Sequence, residues 1–334
     1  MGGHHDGPGS LIFSNLVDAM AGMGALPARF RRERVLIVGC GDVGLRSARE
    51  LGAGRRTRVL ALTSTPERRA ALRGAGVTPV LGNLDDPASL RRLAGLATRV
   101  LHLAPPPNEQ LADWRQDPRT RALARALSRR TRPLTLVYGS TSGVYGDCQG
   151  EWVDETRLPR PQTPRAMRRL DAEQRLGWWS RAFGVSLAVL RIPGIYAADR
   201  DGGTPRERLL RGTPVLRRED DVYTNHIHAD DLARACVRAL WCARGRRVFN
   251  VCDDSELRMG DYFDLAADLY GLPRPERIAR QGAEQRLSLM VLSFMGESRR
   301  LDNQRLKQEL RLRLDYPQVL QGLAAASPGQ PSTG

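Results

Sequence analysis

The stretch Arg34-Val35-Leu36-Ile37-Val38-Gly39-Cys40-Gly41-Asp42-Val43-Gly44 decides the fold. Val35 to Val38 is an unbroken run of β-branched and leucine side chains, the composition of a strand covered on both faces. From Leu45 to Leu51 the apolar residues recur at helical spacing. Between strand and helix each glycine has a separate task. Gly39 makes the tight turn, Gly41 lets the backbone approach a diphosphate, and Gly44 lets helix and strand pack closely. The helix start, at Asp42 and Val43, adds free N–H donors and the positive end of a dipole. This order predicts a phosphate cradle for a dinucleotide. Asp42 is in tension with it, because a carboxylate in the loop repels a diphosphate unless its side chain turns away.

Outward from this stretch, strand and helix patterns alternate. Strands are expected at Val35 to Val38, Arg58 to Leu62, Thr78 to Leu81, Arg99 to Leu103, Leu134 to Tyr138 and Ser186 to Arg191. Helices are expected near Leu45 to Leu51, Glu67 to Gly74, Pro87 to Gly95, Arg119 to Arg129 and Arg165 to Phe183. That alternation predicts an α/β protein with a Rossmann-type, doubly wound parallel sheet over residues 33–191. After Arg191 the rhythm loosens into prolines, glycines and short elements, the pattern of a small substrate lobe over 192–326, interleaved with returning elements of the sheet. Residues 1–32 read as a flexible extension, in which His4 and His5 belong to a polar tail rather than a metal site, and 327–334 as a disordered tail.

The chain of 334 residues is long enough for a full core and shows no repeat. No apolar run approaches the roughly 20 residues that span a bilayer, and no basic-then-apolar leader is present. A cytoplasmic, membrane-free protein is therefore expected, acting as a monomer or homodimer. The five cysteines are odd in number and scattered, with neither paired spacing nor clustered histidines, so they are expected to be reduced packing residues. The net charge of +15 attracts phosphates, yet the arginines are spread along the whole chain. Aromatic residues make up 5%, too few for a base-stacking platform, so no specific nucleic-acid partner is expected and the partner is a small-molecule substrate. All but one of the 52 basic residues are arginine, the exception being Lys307.

The end of the second strand selects the dinucleotide. An acid there accepts hydrogen bonds from ribose hydroxyls, as NAD requires, whereas a 2′-phosphate calls for a neutral or basic site. Here Leu62-Thr63-Ser64-Thr65 is followed by Glu67, Arg68 and Arg69. Thr63, Ser64 and Arg68 favour NADP, with NAD kept open by Glu67.

By residue 147 a set of segments has accumulated: the glycine loop, then Leu81-Gly82-Asn83-Leu84-Asp85-Asp86, Leu101-His102-Leu103-Ala104-Pro105 and Gly139-Ser140-Thr141-Ser142-Gly143-Val144-Tyr145-Gly146-Asp147. Val153-Asp154-Glu155-Thr156, Leu190-Arg191-Ile192-Pro193-Gly194-Ile195-Tyr196, Asn225-His226-Ile227-His228-Ala229-Asp230-Asp231-Leu232-Ala233 and Phe249-Asn250-Val251 follow. In order and spacing the set resembles the NAD-dependent epimerase/dehydratase family, the extended short-chain dehydrogenase/reductases, over about Arg34 to Leu323. The resemblance implies that Gly39, Gly41 and Gly44 hold the pyrophosphate. It places Asn83 and Leu84 at the adenine, Ala104 and Pro105 along the cofactor, and Pro193, Gly194 and Ile195 beside the nicotinamide. It gives Thr141 the role of the hydroxyl that binds the reacting oxygen, and brings Asp117 near the family's active-site Asn.

One departure matters more than the matches. The family's proton donor is a Tyr followed four residues later by a Lys, which lowers the tyrosine pKa and grips the nicotinamide ribose. The matching helix reads Pro164-Arg165-Ala166-Met167-Arg168-Arg169, so Arg165 stands for the Tyr and Arg169 for the Lys. No tyrosine lies between Tyr145 and Tyr196, and Lys307 is far along the chain. Arginine stays protonated and replaces neither acid nor base, although Arg169 can keep the ribose contact or the electrostatic role. The pattern resembles the atypical short-chain dehydrogenases. Two functions stay open: an NAD(P)-dependent oxidoreductase or epimerase on a carbonyl or sugar-nucleotide-like substrate, or a non-catalytic NADP(H)-binding sensor or scaffold. For the enzyme, Tyr145, Tyr196, His228 and Asp117 are the candidate acids.

Overall fold

The computed structural model describes residues 33–54, 57–107, 113–287, 292 and 295–325; the N-terminal extension and the C-terminal tail lie outside them. The first five strands are β1 (Glu33–Val38), β2 (Thr57–Thr63), β3 (Thr78–Leu81), β4 (Arg99–His102) and β5 (Thr135–Thr141). With β6 (Ser186–Ile192) and a later strand, Arg246–Asn250, they build one seven-stranded sheet. Two short parallel strands, β7 (Gly194–Tyr196) and β8 (His226–His228), pair beside it, so Arg246–Asn250 is β9. The sheet order is β9-β6-β5-β4-β1-β2-β3, parallel throughout.

Strand alternation explains why both faces are covered. On β1, Val35 and Ile37 join the cluster that contains Ala48, Leu51, Leu232 and Cys236, while Leu36 and Val38 join the one that contains Leu123, Leu136 and Leu176. The first face carries α1 (Asp42–Ala53), α2 (Arg68–Gly74) at the edge beside β3 and, further along the chain, the helix Ala229–Cys242; the second carries α3 (Pro118–Leu127) and α4 (Pro164–Phe183). Helix α4 has legible ends. Thr163 caps its N-terminus by accepting from the Ala166 amide at 3.3 Å, Pro164 opens it, and Gly184 closes it in the left-handed region at φ 66°.

The small lobe is a separate apolar cluster. It gathers Leu209 from α5 (Arg206–Leu210) with Tyr196, Val215 and Leu216, and adds Met259, Phe263 and Ala267 from the helix Met259–Tyr270. Numbered in order, Ala229–Cys242 is α6 and Met259–Tyr270 is α7.

Three details differ from the sequence expectations. Residues 87–95 hold a short 3-10 turn, Ser89–Leu93, rather than an α-helix, because Asp86 accepts from the Ala88 amide and the Ser89 hydroxyl returns to the Asp86 carbonyl. Strand β5 runs three residues beyond Tyr138, since Gly139, Ser140 and Thr141 still pair with Leu190, Arg191 and Ile192. The region after Arg191 is not built of short pieces alone, for α6 and α7 are full helices of 14 and 12 residues. Their alanine-rich faces pack closely, α6 against α1 and the sheet.

Candidate functional site

The strand order reverses at β1, so the loops leaving β1 and β4 part at their carboxyl ends, where open α/β sheets form ligand crevices. A cleft of about 1570 Å³ opens there, between sheet and lobe. All three loop glycines line it. Gly39 has φ +89°, and a Cβ on it would lie 2.3 Å from the Ala104 amide nitrogen. A Cβ on Gly44 would lie 2.9 Å from the Gly39 carbonyl oxygen, so helix and loop touch there. A Cβ on Gly41 would meet nothing within 4 Å, because that side of the loop faces open cleft. The glycine loop thus leaves open space beside Gly41, with the first turn of α1 behind.

The tension at Asp42 is resolved by tertiary structure. Arg46, one turn along α1 and 5% exposed, donates to Asp42 at 2.9 Å, to Asp230 at 2.5 Å and to Asp199 at 2.6 Å. Arg200 holds the second Asp42 oxygen at 2.6 Å. Both oxygens are therefore bound by guanidinium groups, and the loop presents no unpaired anion to a ligand. Val43 lines the cleft beside it.

At the end beside β2, Thr63, Ser64 and Arg68 line the cleft, whereas Glu67 and Arg69 do not. Thr63 Oγ1 folds onto Thr65, and Arg68 reaches back to donate to the Cys40 carbonyl at 2.8 Å, tying the second strand's end to the glycine loop. Asn83 and Leu84 line the same end; Asn83 Oδ1 accepts from the Asp85 amide at 3.0 Å, and Asp85 is held by Arg119 at 2.6 and 2.7 Å. Ala104 and Pro105, then Pro193, Gly194 and Ile195, continue the wall towards the lobe.

At the other end stand Thr141, Arg165, Arg168 and Arg169. Thr141 Oγ1 accepts from the Gly143 amide at 3.2 Å, capping a one-turn 3-10 helix. That bond uses an oxygen lone pair, which leaves the hydroxyl proton free to be donated. Arg165 is open to the cleft. Arg169 is buried: one of its nitrogens donates to the Gly139 carbonyl at 2.7 Å, to the Ala104 carbonyl at 3.3 Å and to the Tyr138 hydroxyl at 3.3 Å. It braces the ends of β4 and β5 from below.

Two predicted site residues are not brought to the cleft. Tyr145 is 1% exposed, and its hydroxyl donates to Asn250 Oδ1 at 2.7 Å. Burial pushes its pKa up to about 12, and its ring underlies the Arg191 guanidinium at 4.6 Å. Asp117 is the N-cap of α3, its carboxylate accepting from the Arg119 and Thr120 amides and from the Thr120 hydroxyl at 2.6 Å. Those bonds consume it as structure. His228 likewise caps α6, accepting from the Asp230 amide at 3.3 Å. Tyr196 does line the cleft, buried and edge-on to His226 and His228.

Sequence reading missed Arg168, Arg208 and Tyr262, all lining residues, because none carries a motif or a distinctive spacing. It also missed Glu173, although Arg165, Arg169 and Glu173 recur every four residues along one stripe of α4. Glu173 is buried and bonded to the Ser140 hydroxyl at 2.5 Å and to Arg191 at 2.8 Å. His226 stacks on Tyr262 at 4.3 Å, and burial lowers its pKa to about 4, so it is neutral near pH 7.

A sequence model of the NAD dependent epimerase/dehydratase family matches residues 35–252. The chain is 25% identical to Protein YeeZ of Escherichia coli strain K12 over 298 residues, 86% of this chain and 98% of that one. A functionally unknown conserved protein from Silicibacter pomeroyi has a solved structure that superposes with a TM-score of 0.70 at 29% identity, covering 88% of this chain and 98% of its own. The UDP-glucuronic acid 4-epimerase of Bacillus cereus, solved with UDP-glucuronic acid and NAD, has the same fold, with a TM-score of 0.69 at 18% identity over 88% and 97% of the two chains.

Proposed function

We propose, for a chain that belongs to the NAD dependent epimerase/dehydratase family, that it is an NADP(H)-dependent oxidoreductase or epimerase acting on a carbonyl or sugar-nucleotide-like substrate. The observation that carries this is the convergence of Thr141, Arg165 and the glycine loop on one cleft. Gly39, Gly41 and Gly44 would hold the pyrophosphate, Asn83 and Leu84 the adenine, and Thr63, Ser64 and Arg68 a 2′-phosphate. Ala104, Pro105, Pro193, Gly194 and Ile195 would flank the rest of the dinucleotide. When bound, the dinucleotide supplies the hydride donor or acceptor. The remaining work falls to side chains. Thr141 donates its hydroxyl proton in a hydrogen bond to the reacting oxygen, and the fixed charge of Arg165 stabilises negative charge developing there. Arg165 holds that charge without giving up a proton, so the oxygen exchanges its proton with solvent.

A second reading, an NADP(H)-binding sensor or scaffold, is favoured by Arg169. Its guanidinium bonds to backbone carbonyls and the Tyr138 hydroxyl, which is a bracing role rather than the lysine's. Two measurements separate the possibilities. Fluorescence titration is expected to give tighter binding of NADPH than NADH, by about tenfold for one charge-assisted contact through Arg68; equal affinities, or tighter NADH, would sink the preference. In single-turnover hydride transfer, Thr141→Ala is expected to slow the step about 100-fold with cofactor affinity unchanged, the mark of a contact made mainly in the transition state. If the wild type binds NADPH but transfers hydride to no carbonyl or nucleotide-sugar compound, the sensor reading replaces the enzyme.

A further inference from the structure

Nine arginines but only four carboxylates line the cleft. Three of those carboxylates are already held: Asp42 by Arg46 and Arg200, Asp85 by Arg119, and Glu297 by Arg299 at 2.8 Å. The walls therefore carry uncompensated positive charge, and its location is informative. On the lobe side, Arg217 is paired with Asp220, Arg274 with Asp268, Arg277 with Asp264 and Arg286 with Glu276. Arg208, on α5, differs from these. It lines the cleft half-buried, its guanidinium lies 4.6 Å from the centre of the Phe263 ring, and it has no carboxylate partner among the described residues. Beside it are Tyr262 and His226, both buried, and burial keeps the histidine neutral. On the sheet side, Arg168 is 7% exposed and its Nε has no partner among the described residues, while Arg165 stands open.

Taking an arginine out of water costs free energy unless an anion compensates it. An arginine stacked on an aromatic ring, with its donors free, is arranged to bind a planar or tetrahedral acid group with two N–H bonds. We propose that the substrate of this cleft is a small organic acid whose carboxylate or phosphate is gripped by Arg208 against Phe263 on the lobe wall. This deepens the functional reading given above and rests on it for the identity of the cleft. Arg165 and Arg168 then make the opposite wall favourable to further negative charge, so neutral carbonyl compounds are poor ligands.

The test is calorimetric titration of the NADPH-loaded full chain with malonate, with 2-phosphoglycolate and with neutral malonamide, at fixed ionic strength. Saturable binding of at least one dianion and none of malonamide is expected, and the tighter dianion tells carboxylate from phosphate. Arg208→Gln should weaken that binding about 10- to 100-fold, and Arg208→Lys should retain part of it. Arg206→Gln, on the same helix but outside the cleft lining, should leave it unchanged. Malonamide binding as well as malonate, no saturable binding of either dianion, or an Arg208→Gln affinity equal to wild type would each overturn the proposal. NADPH titration of the same samples keeps the two claims apart. Loss of NADPH binding in the wild type would count against the dinucleotide reading, whereas NADPH binding without Arg208-dependent anion binding would count against the acid site alone.

Discussion

Glu173→Ala is expected to lower the stability of the folded protein by about 3–5 kcal/mol, the usual cost of removing one partner from a buried ion pair. Glu173 and Arg191 are 3% and 4% exposed, and Arg191 meets the carboxylate at 2.8 and 3.3 Å. Without Glu173 the guanidinium stays in the core beside Tyr145, whose ring lies beneath it at 4.6 Å, and no other carboxylate among the described residues pairs with it. The Ser140 hydroxyl loses its acceptor at the same time, next to Thr141. Chemical denaturation of wild type, Glu173→Ala and the double variant Glu173→Met with Arg191→Met checks the argument. The double variant should recover much of the loss, because it removes both charges and refills the space. A single variant within about 1 kcal/mol of wild type would show that water or a rearrangement compensates Arg191.

Gly41→Asp is expected to leave the fold intact and weaken dinucleotide binding about 1000-fold. A Cβ at this position meets no protein atom within 4 Å, so the native chain has no reason to shift. The carboxylate would extend into the lining of the cleft, where the pyrophosphate needs the loop backbone. Two like charges about 4 Å apart at a partly buried site repel by roughly 4 kcal/mol, which is about three decades in affinity. Gly39→Ala makes the contrast, since its Cβ would strike the Ala104 backbone and the variant should lose stability as well as binding. Equilibrium titration with NADPH, alongside thermal unfolding of each variant, separates the two outcomes. A folded Gly41→Asp protein that binds with wild-type affinity would show the loop to be a turn and nothing more.

The sequence by itself determined the sheet, the glycine loop at the end of its first strand and the absence of a Tyr-Lys couple from the helix after β5. These are local properties: strand composition, helical spacing and a glycine pattern are written within runs of about ten residues, and the absence of a lysine from residues 34–306 is independent of folding. Arg165 and Arg169 stood out through the family resemblance, which sets them where its Tyr and Lys fall, and that alignment needs no tertiary information. What the tertiary structure decided is where each charge is spent. Asp42 is harmless because Arg46 and Arg200 bind it, the latter from 158 residues away; Tyr145 is withdrawn to Asn250, 105 residues away, and Asp117 is used up as a helix cap. Arg208, one arginine among many, is distinguished by its half-buried place in the cleft lining against the Phe263 ring, with no carboxylate partner among the described residues. Partnership between ionised groups depends on distance and burial in three dimensions, and a chain with 52 cations offers too many pairings for order along the sequence to choose among them.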